Sequence, residues 1–70
     1  MSNFKIEVTS VPDREKLVVE IWYKENLIAE INQELESLEI EFYTEGKATF
    51  DLREFLEAIE IAKMKLLNHE

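Results

Sequence analysis

"VEIWYKENLIAEI", residues 19–31, alternates apolar and polar side chains on both sides of a short polar break. Such period-two alternation marks half-buried strands. Leu17, Val19, Ile21 and Tyr23 share one face, and Val18, Glu20, Trp22 and Lys24 share the other. Beyond the break, Leu27, Ala29 and Ile31 stand against Ile28, Glu30 and Asn32. The loop length decides whether the two apolar sets combine. With Lys24, Glu25 and Asn26 as a three-residue loop, Tyr23 faces Leu27 and both sets lie on one side. A two-residue loop turns Leu27 and Ala29 to the side of Glu20 and Trp22 instead. Asn26 favours the longer loop, because Asn tolerates the left-handed backbone such a loop needs.

Two more runs have the same period. Phe4, Ile6 and Val8 alternate with Lys5, Glu7 and Thr9, and Leu38, Ile40 and Phe42 alternate with Glu39, Glu41 and Tyr43. Pro12 and Asp13 suit a turn between the first two strands, and "QELE" joins the last two. Short connections imply an antiparallel meander with strands at about 3–10, 16–24, 27–32 and 37–44. The period then changes. Asp51 can cap a helix over about 52–67, with Glu54 completing a capping-box pair and Phe50 and Phe55 in staple positions. Leu52, Phe55, Leu56, Ile59, Ala62 and Leu66 form its apolar stripe. Residues 47–50 are either a fifth, edge strand or the lead-in to that helix. One apolar stripe and one apolar sheet face give an α+β two-layer sandwich, with the helix packed across the inner face. Ala29, small among large neighbours, is the place where the helix is expected to pass closest.

At 70 residues the chain forms one domain with a small core. It has no cysteine, and its single histidine is His69, so neither a disulfide nor a zinc site is expected to staple it. "MSNFKIEVTS" has neither the apolar run of a signal peptide nor the length of a membrane span, so a soluble, cytoplasmic protein is expected. Sixteen acidic against eight basic residues give a net charge of -8. That balance disfavours nucleic acid, whose phosphates call for clustered Lys and Arg, and favours a basic protein partner.

With the helix on one face, Glu20 and Trp22 lie on the other. Carrying one register across the sheet aligns Lys5, Glu20, Glu30 and Glu39 in one row, and Trp22, Ile28 and Glu41 in the next, with Tyr43 and Val18 nearby. Like charges opposite one another destabilise a sheet, so the glutamate row suggests a gain elsewhere. Aromatic anchors bordered by charge have the composition of a protein-binding hot spot. The candidate partner-binding residues are therefore Glu20, Trp22, Glu30, Glu39, Glu41 and Tyr43. Ile61 and Met64, on the back of the helix, offer a second contact for a homodimer.

No catalytic site is expected. The fold leaves little room for a cleft that would tune a carboxylate, His69 sits at a helix end, and Ser2, Ser10 and Ser37 lack a histidine partner. Gly46 alone builds no phosphate loop. The pairs Glu34 with Glu36 and Glu39 with Glu41 lack the spacing of a calcium loop, so no metal or other cofactor is expected.

"LVVEIWYKENLIAEINQE", "LEIEFY" and "FDLREFLEAIEIAKMKL", spanning roughly residues 17–67, resemble small bacterial immunity proteins of contact-dependent growth-inhibition systems. The resemblance implies a cytosolic protein that binds a delivered toxin domain and blocks its active site or its access to substrate. It transfers no binding residue onto a numbered position. Two other classes stay open: a structural homo-oligomer, and an acidic mimic of nucleic acid that inhibits a defence enzyme.

Overall fold

Four strands and one helix follow one another along the chain in the computed structural model, which describes residues 3–12, 14–34 and 36–68. The strands are β1 (Phe4–Thr9), β2 (Val18–Tyr23), β3 (Asn26–Asn32) and β4 (Glu39–Phe42), and the helix is α1 (Leu52–Leu67). They form an antiparallel sheet in the order β1-β2-β3-β4, with α1 on one face. This is the two-layer α+β sandwich that the alternating pattern requires. Residues 47–50 form no strand and lead into the helix. The expectations placed on Ser2, Asp13 and His69 lie outside the described residues.

The β2–β3 hairpin differs from the expected one in an instructive way. Tyr23 pairs with Asn26, so the turn has two residues, Lys24 and Glu25, and Lys24 takes the left-handed conformation (φ 57°). A register shift then follows: Trp22 faces Leu27 while Ile21 faces Ala29. The extra residue at Ile28 is a β-bulge, and it restores the parity that the short turn removes. Ile21, Ala29, Val19 and Ile31 therefore still share the inner face.

The core joins Val19, Ile21, Ile28, Ala29 and Ile31 of the sheet to Ala62 and Leu66 of α1. Ala58 and Ala62, one turn apart, are both buried, so the helix makes its close approach through its own small residues. It packs mainly over β1 and β2 rather than over Ala29 on β3. Leu52 and Leu56, expected in the buried stripe, are exposed on the side of the helix towards β4, the one strand whose residues are all exposed. The buried stripe is instead Ala58, Ala62 and Leu66, flanked by the half-buried Phe55 and Ile59.

One end of the sandwich is closed by aromatic rings. Phe4 meets Tyr23 edge-on at 4.9 Å, Tyr23 meets Phe50 at 4.9 Å, and Phe50 stacks on Phe55 at 5.9 Å. Phe50 and Phe55 thus act as the staple. The Asp51 carboxylate accepts the Glu54 N–H at 3.0 Å, capping the helix, while the Glu54 carboxylate accepts the Asn3 N–H at 3.2 Å. The capping glutamate thereby ties the helix start to the lead-in of β1.

Candidate functional site

On the face away from α1, Glu7 lies opposite Glu20, Glu20 opposite Glu30, and Glu30 opposite Glu41. Four carboxylates thus cross all four strands in one row. The row differs from the expected one at both ends. Glu7 takes the place assigned to Lys5, which faces Trp22, and Glu41 takes the place assigned to Glu39, which faces Asn32. Both corrections are slips of two residues, which preserve the face and change the row. The outer connections cause them, because the chain between Thr9 and Val18, and between Asn32 and Glu39, is longer than any tight turn.

The row does not stand as bare repulsion, because each glutamate has a donor. Lys5 Nζ lies 3.3 Å from Glu7 Oε1 and 5.4 Å from the centre of the Trp22 ring. The indole N–H of Trp22 donates to Glu20 Oε1 at 3.2 Å. Arg14 bridges the other pair, with Nε on Glu30 Oε1 at 3.1 Å and Nη2 on Glu41 Oε1 at 3.3 Å. The Tyr43 hydroxyl sits 2.9 Å from Glu41 Oε1 and 3.2 Å from Glu30 Oε2 and can donate its single proton to either. Tyr43 is held there because its backbone N–H extends the β3–β4 ladder to the Ile28 carbonyl at 2.8 Å.

Arg14 reaches this position because the β1–β2 loop folds across the outer face. The Glu34 carboxylate accepts the backbone N–H groups of Glu15 (3.0 Å) and Lys16 (3.1 Å), which clamps that loop to the β3–β4 connection. The Glu15 N–H is the first cause holding the Glu34 carboxyl below its usual range. Val18 and Asn32 are buried at this end of the sheet.

The six candidate residues therefore separate. Glu30 is only 6 % exposed beneath Arg14 and Tyr43, so it supports the face rather than presenting a contact. Glu20 and Trp22 are half-buried, whereas Glu39, Glu41 and Tyr43 are exposed. Ile28 and Val18, expected as apolar neighbours on the surface, are buried. Sequence reasoning missed Arg14 and Glu7. The available signal for Arg14 was a lone arginine in the loop facing a carboxylate-rich sheet, and for Glu7 the alternation of β1 itself. Among the described residues, no group of three or more His, Asp or Glu side chains is arranged to hold a metal ion.

Burial of its hydroxyl, followed by the hydrogen bond to Glu41 and the charge of Glu30, pushes the Tyr43 phenol well above its ordinary value of 10.0. A folded-state pKa raised above the unfolded one gives stability that is complete below the unfolded pKa and is lost as pH rises beyond it. Chemical denaturation between about pH 9 and pH 11 should show wild type losing stability more steeply than Tyr43→Phe. At pH 7 the same variant should be less stable by about 1 kcal/mol, the usual worth of a hydroxyl hydrogen bond. Parallel pH profiles would mean that the phenol is not held between the carboxylates.

No family model matches the chain, and neither a curated protein nor a solved structure matches it. No described helix is long and apolar enough to cross a membrane.

Proposed function

We propose that the chain is a non-catalytic protein-binding module that engages a basic partner through the outer face of its sheet. Glu20, Glu39, Glu41, Trp22 and Tyr43 make the contact, and Glu30 with Arg14 holds it rigid. The carrying observation is the carboxylate row crossing every strand, with an indole beside it. Its internal donors preorganise the face and do not cancel it, since the named groups leave more carboxylates than cations. A surface already paid for in ordering loses less on binding and attracts cations at long range. In keeping with the resemblance to immunity proteins, the partner is a delivered toxin domain, basic around its active site and neutralised in the cytosol.

The test uses a secreted-toxin domain, if the gene immediately upstream of this chain's encodes one, and the absence of such a gene would itself count against the toxin. Glu39→Lys should lower the association rate about tenfold at low salt and converge on wild type as salt rises. Trp22→Ala should act mainly on the dissociation rate. Binding that neither substitution alters would remove the outer face as the contact surface. Absence of binding by the wild-type chain would remove the toxin.

A further inference from the structure

The carboxylate row contains the same unit twice. Glu30 and Glu41 lie directly opposite each other on β3 and β4, and Glu7 and Glu20 do so on β1 and β2. In each unit an aromatic side chain two residues along the chain reaches back to its own glutamate. The Tyr43 hydroxyl lies 2.9 Å from Glu41 Oε1, and Trp22 Nε1 lies 3.2 Å from Glu20 Oε1. The units differ in their cation. Arg14 spans the first pair, with Nε on Glu30 at 3.1 Å and Nη2 on Glu41 at 3.3 Å. The second pair meets a lysine instead. Lys5 Nζ contacts Glu7 at 3.3 Å and stands 5.4 Å from the centre of the Trp22 ring.

The two cations are chemically unequal. Carboxylates facing each other on adjacent strands start about 5 Å apart at Cβ, a span that the fork of a guanidinium can bridge, as Arg14 does. An ammonium is a point charge, and Lys5 spends it on Glu7. The Lys5 and Glu7 side chains are 62 % and 47 % exposed, and an exposed pair of this kind is weak enough to be exchanged. Lys5 also shows that the indole face accepts a cation, and a planar guanidinium stacks on such a face while its N–H groups pair sideways. The chain's other arginine, Arg53, belongs to α1 across the sheet. A guanidinium for the Glu7–Glu20 pair therefore has to come from another molecule.

Resting on the outer-face reading above, we infer that the unit of Glu7, Glu20 and Trp22 takes an arginine side chain of the partner, and that Lys5 is an internal stand-in which this arginine displaces. The guanidinium bridges the two carboxylates and lies over the indole, repeating on β1 and β2 the contact that Arg14 makes on β3 and β4. Glu7 joins the contact residues, and Lys5 tunes the affinity by competing for them. The face thereby has a direction: Arg14 repels a partner's cations from the β3–β4 half and leaves the β1–β2 half as their seat.

The experiment titrates the isotope-labelled chain with acetyl-Gly-Arg-Gly-Arg-Gly-amide and with its counterpart in which both arginines are lysines. It is run at about 50 mM salt, where exposed charges are weakly screened. The single tryptophan gives one indole N–H signal. That signal and the amides of Glu7 and Glu20 should shift saturably, with the lysine peptide about fivefold weaker. Glu7→Gln should weaken the arginine peptide about fivefold as well. Lys5→Met removes the competitor and should tighten binding about threefold, whereas Lys65→Met, the same charge change on α1, should leave it within about twofold of wild type. Equal binding of the two peptides would overturn the arginine. Unchanged binding by Glu7→Gln would overturn the bridge, and equal effects of Lys5→Met and Lys65→Met would overturn the stand-in. Shifts confined to Glu39, Glu41 and Tyr43 would overturn this seat while the outer-face reading stands. Shifts nowhere on the outer face would overturn the seat, and the toxin measurements with Glu39→Lys would then judge the wider reading separately.

Discussion

Arg14→Ala should lower the unfolding free energy by about 3 kcal/mol, the lower end of the cost of stranding a buried charge. The lower end applies because the Arg14 side chain is itself 22 % exposed, which softens the loss through solvent screening. The effect comes less from the lost ion pair than from what remains: Glu30, side chain 8 % exposed, flanked by Glu20 and Glu41 with no guanidinium above it. For a domain of this size the melting temperature should fall by more than about 10 °C. Adding Glu30→Val to Arg14→Ala should recover most of that loss, since it removes the stranded charge and offers a good strand former. Lys5→Ala, which breaks the exposed pair with Glu7, should change stability by less than about 0.5 kcal/mol. If Arg14→Ala behaved like Lys5→Ala in thermal unfolding, the guanidinium would not be seated on Glu30.

Leu66→Ala should cost about 3 kcal/mol, within the range for removing a buried leucine side chain. Leu66 is fully buried against the sheet in the last turn of α1, where no other helix can refill the space. Its neighbour Leu67 is exposed, so Leu67→Ala should fall within about 0.5 kcal/mol of wild type. The contrast between adjacent leucines separates packing from helix propensity, which the two positions share. Equal costs in urea denaturation would mean that α1 is rotated relative to the sheet. Domains of this length have a total stability of roughly 3.5–10 kcal/mol, so either Arg14→Ala or Leu66→Ala removes a large share.

Face assignment was legible in the sequence because it depends on parity alone. Val19, Ile21, Ala29, Ile31, Ile40 and Phe42 lie on the inner side as their alternation requires, and the bulge at Ile28 keeps that parity despite the shorter turn. The helix was legible at its start, where Asp51 caps and Phe50 stacks on Phe55. Rows were not legible. A two-residue slip leaves every side chain on its face, and no local turn chemistry fixes how far a loop of several residues lets two strands slide. That is why Glu7 and Glu41 replaced Lys5 and Glu39. Arg14 was hidden for a related reason: its role depends on a loop crossing the sheet, and no period in the sequence records a crossing. Leu52 and Leu56 were placed in the stripe by spacing, which describes the helix's apolar sector but not the width of the surface beneath it.

The position of β4 has a consequence for how the molecule comes apart. All four of its residues are exposed, it has one neighbour in the sheet, and the helix does not roof it. By contrast, β2 and β3 hold most of the buried sheet core. Partial opening of a protein follows such differences in local burial. β4 can therefore peel from β3 while the rest of the sandwich persists, releasing Tyr43 from Glu30 and Glu41 from Arg14 in the same event. A ligand that grips β4 from either side of the sheet suppresses this fraying, so the two faces are linked through one strand's hold on its neighbour.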